Sequence, residues 1–86
     1  MKHLAAIDNL RRLNLSMTAV DDIGVQALAG LKHLEVLDLI GTGITDASVN
    51  ALSKLKRLKD VDLSLTKVTP QGIKHLGRAL PDCDVK

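Results

Sequence analysis

Eighty-six residues suffice for one domain with a small core, and the sequence is 45% hydrophobic without a single Phe, Tyr or Trp, so its interior must be built from Leu, Ile, Val and Ala. Twelve basic against ten acidic residues give a net charge of +2 with no run of Lys or Arg longer than two, which lacks the footprint of nucleic-acid binding. The one cysteine, Cys83, excludes an intrachain disulfide and leaves too few ligands for a closed structural zinc site.

From the amino terminus, Met1 to Leu10 has no apolar segment of signal-peptide length, and no stretch is long enough to span a bilayer. The expectation is a cytoplasmic protein in a reducing compartment, with no membrane partner. An offset of 24 residues then aligns apolar positions along nearly the whole chain. Leu10, Leu34 and Leu58 share one column; Leu13, Leu37 and Val61 the next; Leu15, Leu39 and Leu63 a third. Thr18, Thr42 and Thr66 follow, then Val20, Ile44 and Val68, then Val25, Val49 and Ile73, then Leu28, Leu52 and Leu76.

Residues 1–9 match only the helical half of such a unit, Lys2, His3 and Leu4 falling three periods before Lys74, His75 and Leu76. Repeats follow at about 10–33, 34–57 and 58–79. Residues 80–86 match only the strand half, Leu80, Cys83 and Val85 aligning with Leu58, Val61 and Leu63 if two residues are deleted. Within each repeat the apolar period changes from two, as at Leu13/Leu15, to helical spacing, as at Val25/Leu28, so each unit is a strand, a turn and a helix. Asp21-Asp22, Thr45-Asp46 and Thr69-Pro70 supply capping oxygens before a first-turn carboxylate or proline. They predict helices near 22–30, 46–54 and 70–79.

The segments "LRRLNLSMTAVDDIGVQALAG", "LEVLDLIGTGITDASVNALSK" and "LKDVDLSLTKVTPQGIKHLGR" resemble leucine-rich repeats of the 24-residue kind. They share an LxxLxLxxT strand segment and an ITDxG-like helix start. They are similar to units in bacterial leucine-rich repeat proteins and to the cysteine-containing repeats of F-box receptors, with Thr where Asn or Cys is usual. The resemblance spans residues 10–79 and implies an α/β right-handed solenoid, parallel strands on the concave face and helices on the convex face. In that arrangement each repeat buries an apolar face that it cannot bury alone. Thr18, Thr42 and Thr66 would turn inward, their hydroxyls satisfying backbone groups of neighbouring turns.

Residues for chemistry are sparse. Gly41-Thr42-Gly43 lacks the spaced Gly and the Lys-Ser/Thr of a phosphate loop and reads as a turn. His3 and His75 occupy equivalent helix positions while His33 falls in a loop, so the three do not converge on a metal and read as solvated. Cys83 reads as a small core residue whose thiol is raised, not activated, by Asp82 and Asp84. No catalytic residue, cofactor or metal ligand is expected, and the chain is not expected to be an enzyme.

If Leu13/Leu15, Leu37/Leu39 and Val61/Leu63 point inward, their neighbours line the concave face. The expected rows are Arg12, Val36, Asp60 and Asp82; Asn14, Asp38, Asp62 and Asp84; and Ser16, Ile40, Ser64 and Lys86. Five carboxylates against two cations make this face −3 and leave +5 elsewhere. Neighbouring carboxylates about 4.8 Å apart repel by about 1 kcal/mol even in water. A basic partner or an oxygen-seeking cation would relieve that, although side chains splayed into solvent are the simpler reading of the Asp row alone.

Val36 and Ile40 are apolar among those charges, as at a protein contact. The expected function is protein–protein interaction through this face, by Arg12, Asn14, Val36, Asp38, Ile40, Asp60, Asp62, Ser64 and Asp84. The alternative is a structural segment of a larger repeat assembly. Lys32, His33, Lys54, Lys56, Arg57 and Lys59 gather on the helix-to-strand loops and read as solubilising charge. With no segment expected to cover Arg12–Leu15 or to follow Val85, both terminal edges are expected to be open, which suggests end-to-end self-association.

Overall fold

The computed structural model describes residues 10–86. The half-unit expected at residues 1–9, with His3, lies outside them. Strands β1 (Arg12–Asn14), β2 (Val36–Asp38), β3 (Asp60–Asp62) and β4 (Asp84–Val85) form one parallel sheet in chain order. Helices α1 (Asp22–Leu28), α2 (Val49–Leu52) and α3 (Pro70–Ala79) cross between successive strands. Each helix packs beside its sequence neighbour, giving a sheet layer and a helix layer: an α/β solenoid.

The register is that of the 24-residue offset: Leu13 faces Leu37, which faces Val61, which faces Val85. Backbone bonds extend the pairing past the strand ends, from Leu15 N–H to Asp38 O at 2.8 Å and from Gly41 N–H to Ser64 O at 2.9 Å. Between the layers, Leu34, Leu37, Leu39, Ile44, Leu52, Leu55, Val61 and Leu76 are almost completely buried. Each such side chain contributes roughly 1.5–3 kcal/mol of transfer free energy. The middle repeat, with a full repeat on each side, is sealed most fully; Leu13, Leu15, Val20 and Leu28 of the first repeat are half-buried.

Two expectations about local structure need correction. The middle helix begins as a 3-10 turn, Asp46–Ser48, and becomes α-helical only over Val49–Leu52. The threonine hydroxyls do not reach neighbouring turns. Thr18, Thr42 and Thr66 each donate to the carbonyl three residues back in their own repeat, Leu15, Leu39 and Leu63, at 2.6, 2.8 and 2.6 Å. They close the turn that follows each strand, which places them on a local and not an inter-repeat bond.

That turn puts its third residue in the left-handed region: Met17 at φ 58°, Gly41 at 70° and Leu65 at 60°. Glycine adopts this conformation freely. Methionine and leucine there cost on the order of 1 kcal/mol each.

A second column links the repeats at the helix starts. Asp22 accepts from the Thr45 amide (2.8 Å), the Thr45 hydroxyl (2.7 Å) and the Ser48 hydroxyl. Asp46 accepts from the Thr69 amide (2.7 Å) and hydroxyl (2.6 Å) one repeat later. The same threonine oxygens cap their own helices by accepting from Ala47 and Gly72 amides. The carboxylate of one repeat thus orients the helix cap of the next.

Space for that carboxylate explains a further position. A Cβ on Gly72 would lie 2.3 Å from Asp46 Oδ1 and 2.9 Å from its Cγ. In the preceding repeat the equivalent Ser48 fits by bonding to Asp22. Helix propensity alone makes Gly72→Ala stabilising by about 1 kcal/mol. Displacing Asp46 from Thr69 opposes that gain, because both bonds to the carboxylate are lost. Urea denaturation of Gly72→Ala is therefore expected to show a net loss of stability at an unchanged m-value, with Gly72→Ser losing less because its hydroxyl bonds to the carboxylate. A stabilised Gly72→Ala would refute the packing argument.

Candidate partner-binding face

Alternation along the short strands sends Leu13, Leu37 and Val61 inward and their neighbours to the open side of the sheet. One row there runs Arg12, Val36, Asp60, Asp84 and the next runs Asn14, Asp38, Asp62. Lys86 follows on from Asp62, its amide donating to Val61 O at 2.9 Å and its carbonyl accepting from Leu63 at 3.4 Å. Of the residues expected to bind a partner, Arg12, Asn14, Ser64 and Asp84 are exposed, while Val36, Asp38, Ile40, Asp60 and Asp62 are half-buried.

The last strand departs from expectation. Asp84 pairs with Asp60, not Asp62, and Asp82 lies in the turn before β4, off the strand face. Alignment by residue type matched Leu80 to Leu58. In the structure Leu80 ends α3, its amide bonded to Leu76 O at 2.9 Å, and the offset continues with no deletion. Cys83 accordingly precedes β4 and is half-buried at the core's edge. Burial, with Asp60 and Asp84 adding, raises its thiol pKa. The face carries four carboxylates, Asp38, Asp60, Asp62 and Asp84, against Arg12 and Lys86, a net −2 in a chain of +2.

These carboxylates are not simply splayed into water. Asp38 Oδ1 accepts from the Ile40 amide at 3.1 Å and Asp62 Oδ1 from the Ser64 amide at 3.0 Å. In the first repeat Asn14 Oδ1 does the same for Ser16 at 2.9 Å. Each side chain caps the turn that leaves its strand. Asp60 and Asp84 share the Lys86 ammonium, at 3.3 and 3.9 Å. Near Asp38 and Asp62 the apolar Val36 and Ile40 are partly open to solvent, so the centre of the face combines aliphatic surface with negative charge.

Sequence reasoning missed the turns at the rim of this face. Met17 is 74% and Leu65 81% exposed, two of the three large hydrophobics most open to solvent among the described residues. They share the column of Gly41, and a glycine in one member of a repeat column was the signal for left-handed backbone in the others.

Elsewhere the surface offers no chemistry of comparable definition. The depression between α1 and α2 is lined by Gln26, Ala29, Ala47, Asn50, Ala51 and Lys54, which supplies amides and one amine. On the helix-to-strand loops Lys59 lies 3.9 Å from Glu35, and an Arg57 guanidinium nitrogen 3.3 Å from His33 Nδ1. No group of three His, Cys, Asp or Glu residues among those described is placed to hold a metal. No helix among them is long and apolar enough to cross a membrane.

The stacked units, their parallel register and the aliphatic columns agree with comparison to known families, in which a leucine rich repeat model matches residues 8–69. The chain belongs to the leucine-rich repeat family. Comparison with curated proteins gives no match. Leucine-rich repeat domains generally serve as protein–protein interaction modules, and the family is typically non-enzymatic.

Several carboxylates on this leucine-rich repeat scaffold are held below the ordinary value of 3.8. Burial raises Asp22, but the Ser48 and Thr45 hydroxyls and the Thr45 amide outweigh it. The hydroxyl and amide of Thr69 lower Asp46; those of Ser64, with Lys86 adding, lower Asp62. Because these groups are more acidic folded than unfolded, their contribution is complete above the unfolded value and lost as pH falls through the folded one. Melting temperature should hold near neutrality and decline below about pH 4. Asp22→Asn/Asp46→Asn should melt lower at neutral pH and decline less in acid. An acid slope as steep as the wild type's would contradict the assignment.

Proposed function

We propose that this protein is a non-enzymatic interaction module that binds another protein through the strand face, centred on Val36, Asp38, Ile40, Asp60 and Asp62 and extending to Arg12, Asn14, Ser64 and Asp84. The observation that carries the reading is the pair Val36 and Ile40, partly exposed beside Asp38 and Asp62 on adjoining rungs. Aliphatic side chains within a charged rim have the composition of a protein contact. The absence of aromatic residues favours modest affinity, since Trp and Tyr commonly supply binding hot spots.

End-to-end association of copies in the repeat register draws less support. The helix-start bonds join an aspartate in one repeat to a threonine in the next, whereas the described repeats begin with Asp21 and finish with Pro70 at those two positions. Stacking copies in the same register would set a proline against a carboxylate and form no such bond.

The repeats supply conservative substitutions for the test, because each column already holds an alternative residue. Asp38→Asn and Asp62→Asn remove charge while keeping the turn-capping oxygen, as Asn14 does, and Ile40→Ser installs the residue found at Ser16 and Ser64. In quantitative co-purification from the native source, the triple variant should recover the bound partner at least about tenfold less well while melting cooperatively. Equal recovery by both proteins would refute the strand-face reading.

A further inference from the structure

Met17 and Leu65 share two features that are each unfavourable in the free protein. Both hold left-handed backbone without being glycine, and both leave a large apolar side chain mostly in water. A strained residue persists only where its surroundings determine it, and such residues concentrate at sites of recognition. Here the surroundings are the turns that end β1 and β3, closed by Thr18 and Thr66.

The two residues stand two rungs apart, about 10 Å at the usual strand spacing. Met17 reaches across the gap, since its Sδ lies 2.3 Å from where a Cβ on Gly41 would sit. Glycine at the middle rung therefore leaves room for the methionine sulfur, while most of the side chain stays in water. Ile40, immediately before Gly41 and half-buried, joins this surface to the strand face. The result is an aliphatic ridge of Met17, Ile40 and Leu65 along the strand-exit rim.

Charge beside the ridge has one dominant sign. Asp38 and Asp62 each commit Oδ1 to their own turn, and the Ser64 hydroxyl also acts on Asp62, yet both keep their negative charge on the face. Asp60 and Asp84 are engaged with Lys86 at the far strand. Arg12 lies in the neighbouring row, and Lys67 follows Leu65 beyond the turn. Carboxylates on two neighbouring rungs beside an aliphatic ridge are complementary to apolar side chains followed by Lys or Arg.

We infer that the strand-exit ridge of Met17, Ile40 and Leu65 is the apolar part of the binding site, and that it receives a basic protein segment whose aliphatic side chains lie on the ridge while its Lys or Arg side chains reach Asp38 and Asp62. This rests on the strand-face reading and names its partner class. The strain then has a use, holding Met17 and Leu65 outward before the partner arrives and so reducing the ordering required on binding.

A random dodecapeptide display library selected on the whole protein tests this directly. Enriched peptides are expected to combine Leu, Ile or Met with Lys or Arg, and their binding should weaken as salt is raised. Met17→Asn/Leu65→Asn is the informative variant, because asparagine tolerates left-handed backbone. It should melt higher than the wild type, by roughly 5 °C, yet bind the enriched peptides at least about tenfold more weakly. Gain of stability with loss of binding separates recognition from folding. Failure to enrich any peptide, enrichment of acidic or wholly polar ones, or undiminished binding to this variant overturns the ridge. If the ridge variant binds normally but Asp38→Asn/Ile40→Ser/Asp62→Asn does not, the strand face stands without the ridge. Normal binding by that triple variant would take Asp38, Ile40 and Asp62 out of the site and overturn this inference together with the strand-face reading.

Discussion

No repeat in this chain closes a core by itself, so every other feature depends on the 24-residue units stacking in one register. Two sets of bonds hold that register. On one side the parallel backbone ladder aligns Leu13, Leu37, Val61 and Val85; on the other, Asp22 and Asp46 bind the caps of the following helices. The aliphatic columns between them gain stability only when both are aligned. An interior without aromatic rings suits this design, because Leu, Ile and Val side chains at equivalent positions stack with little variation in size.

The same stacking turns small local choices into continuous surfaces. One carboxylate that caps one turn becomes, when repeated, a row with Asn14, Asp38 and Asp62 on neighbouring rungs. One left-handed turn residue becomes a column of Met17, Gly41 and Leu65. Under the proposed function, structural and recognition roles overlap in the same residues: Asp38 and Asp62 stabilise their turns through Oδ1 and keep their charge on the strand face. The charge is segregated as well, with the strand face net negative and Lys32, Lys54, Lys56, Arg57 and Lys59 gathered at the helix-to-strand loops. A partner approaching the proposed face would meet a negative field before it met aliphatic surface.

Much of this was legible in the sequence because periodic burial leaves a periodic signal. The Leu13/Leu37/Val61 and Leu15/Leu39/Leu63 columns mark the sheet, and Thr69-Pro70 marks the start of α3. What was not legible depended on geometry between repeats. The acceptors of the Thr18, Thr42 and Thr66 hydroxyls could be assigned only once the turn was seen. The final strand was misaligned by two residues because Leu80 resembles the start of a repeat by type but serves as the end of α3. The aspartate-to-threonine bonds join residues 23 positions apart, a spacing that no local motif search reveals. Met17 and Leu65 looked like ordinary apolar residues, and their exposure follows from the backbone conformation forced at their turn.

The central claim is that recognition occurs where the strand face meets its rim and not on the helices. Amide NMR shifts of labelled protein, titrated with a Leu- and Lys-containing peptide selected on it, test this most directly. The account predicts perturbation of Met17, Val36, Asp38, Ile40, Asp62 and Leu65 while Gln26, Asn50 and Lys74 on the helical side stay unchanged. Shifts concentrated on those helical residues, with the strands and their turns silent, would contradict it.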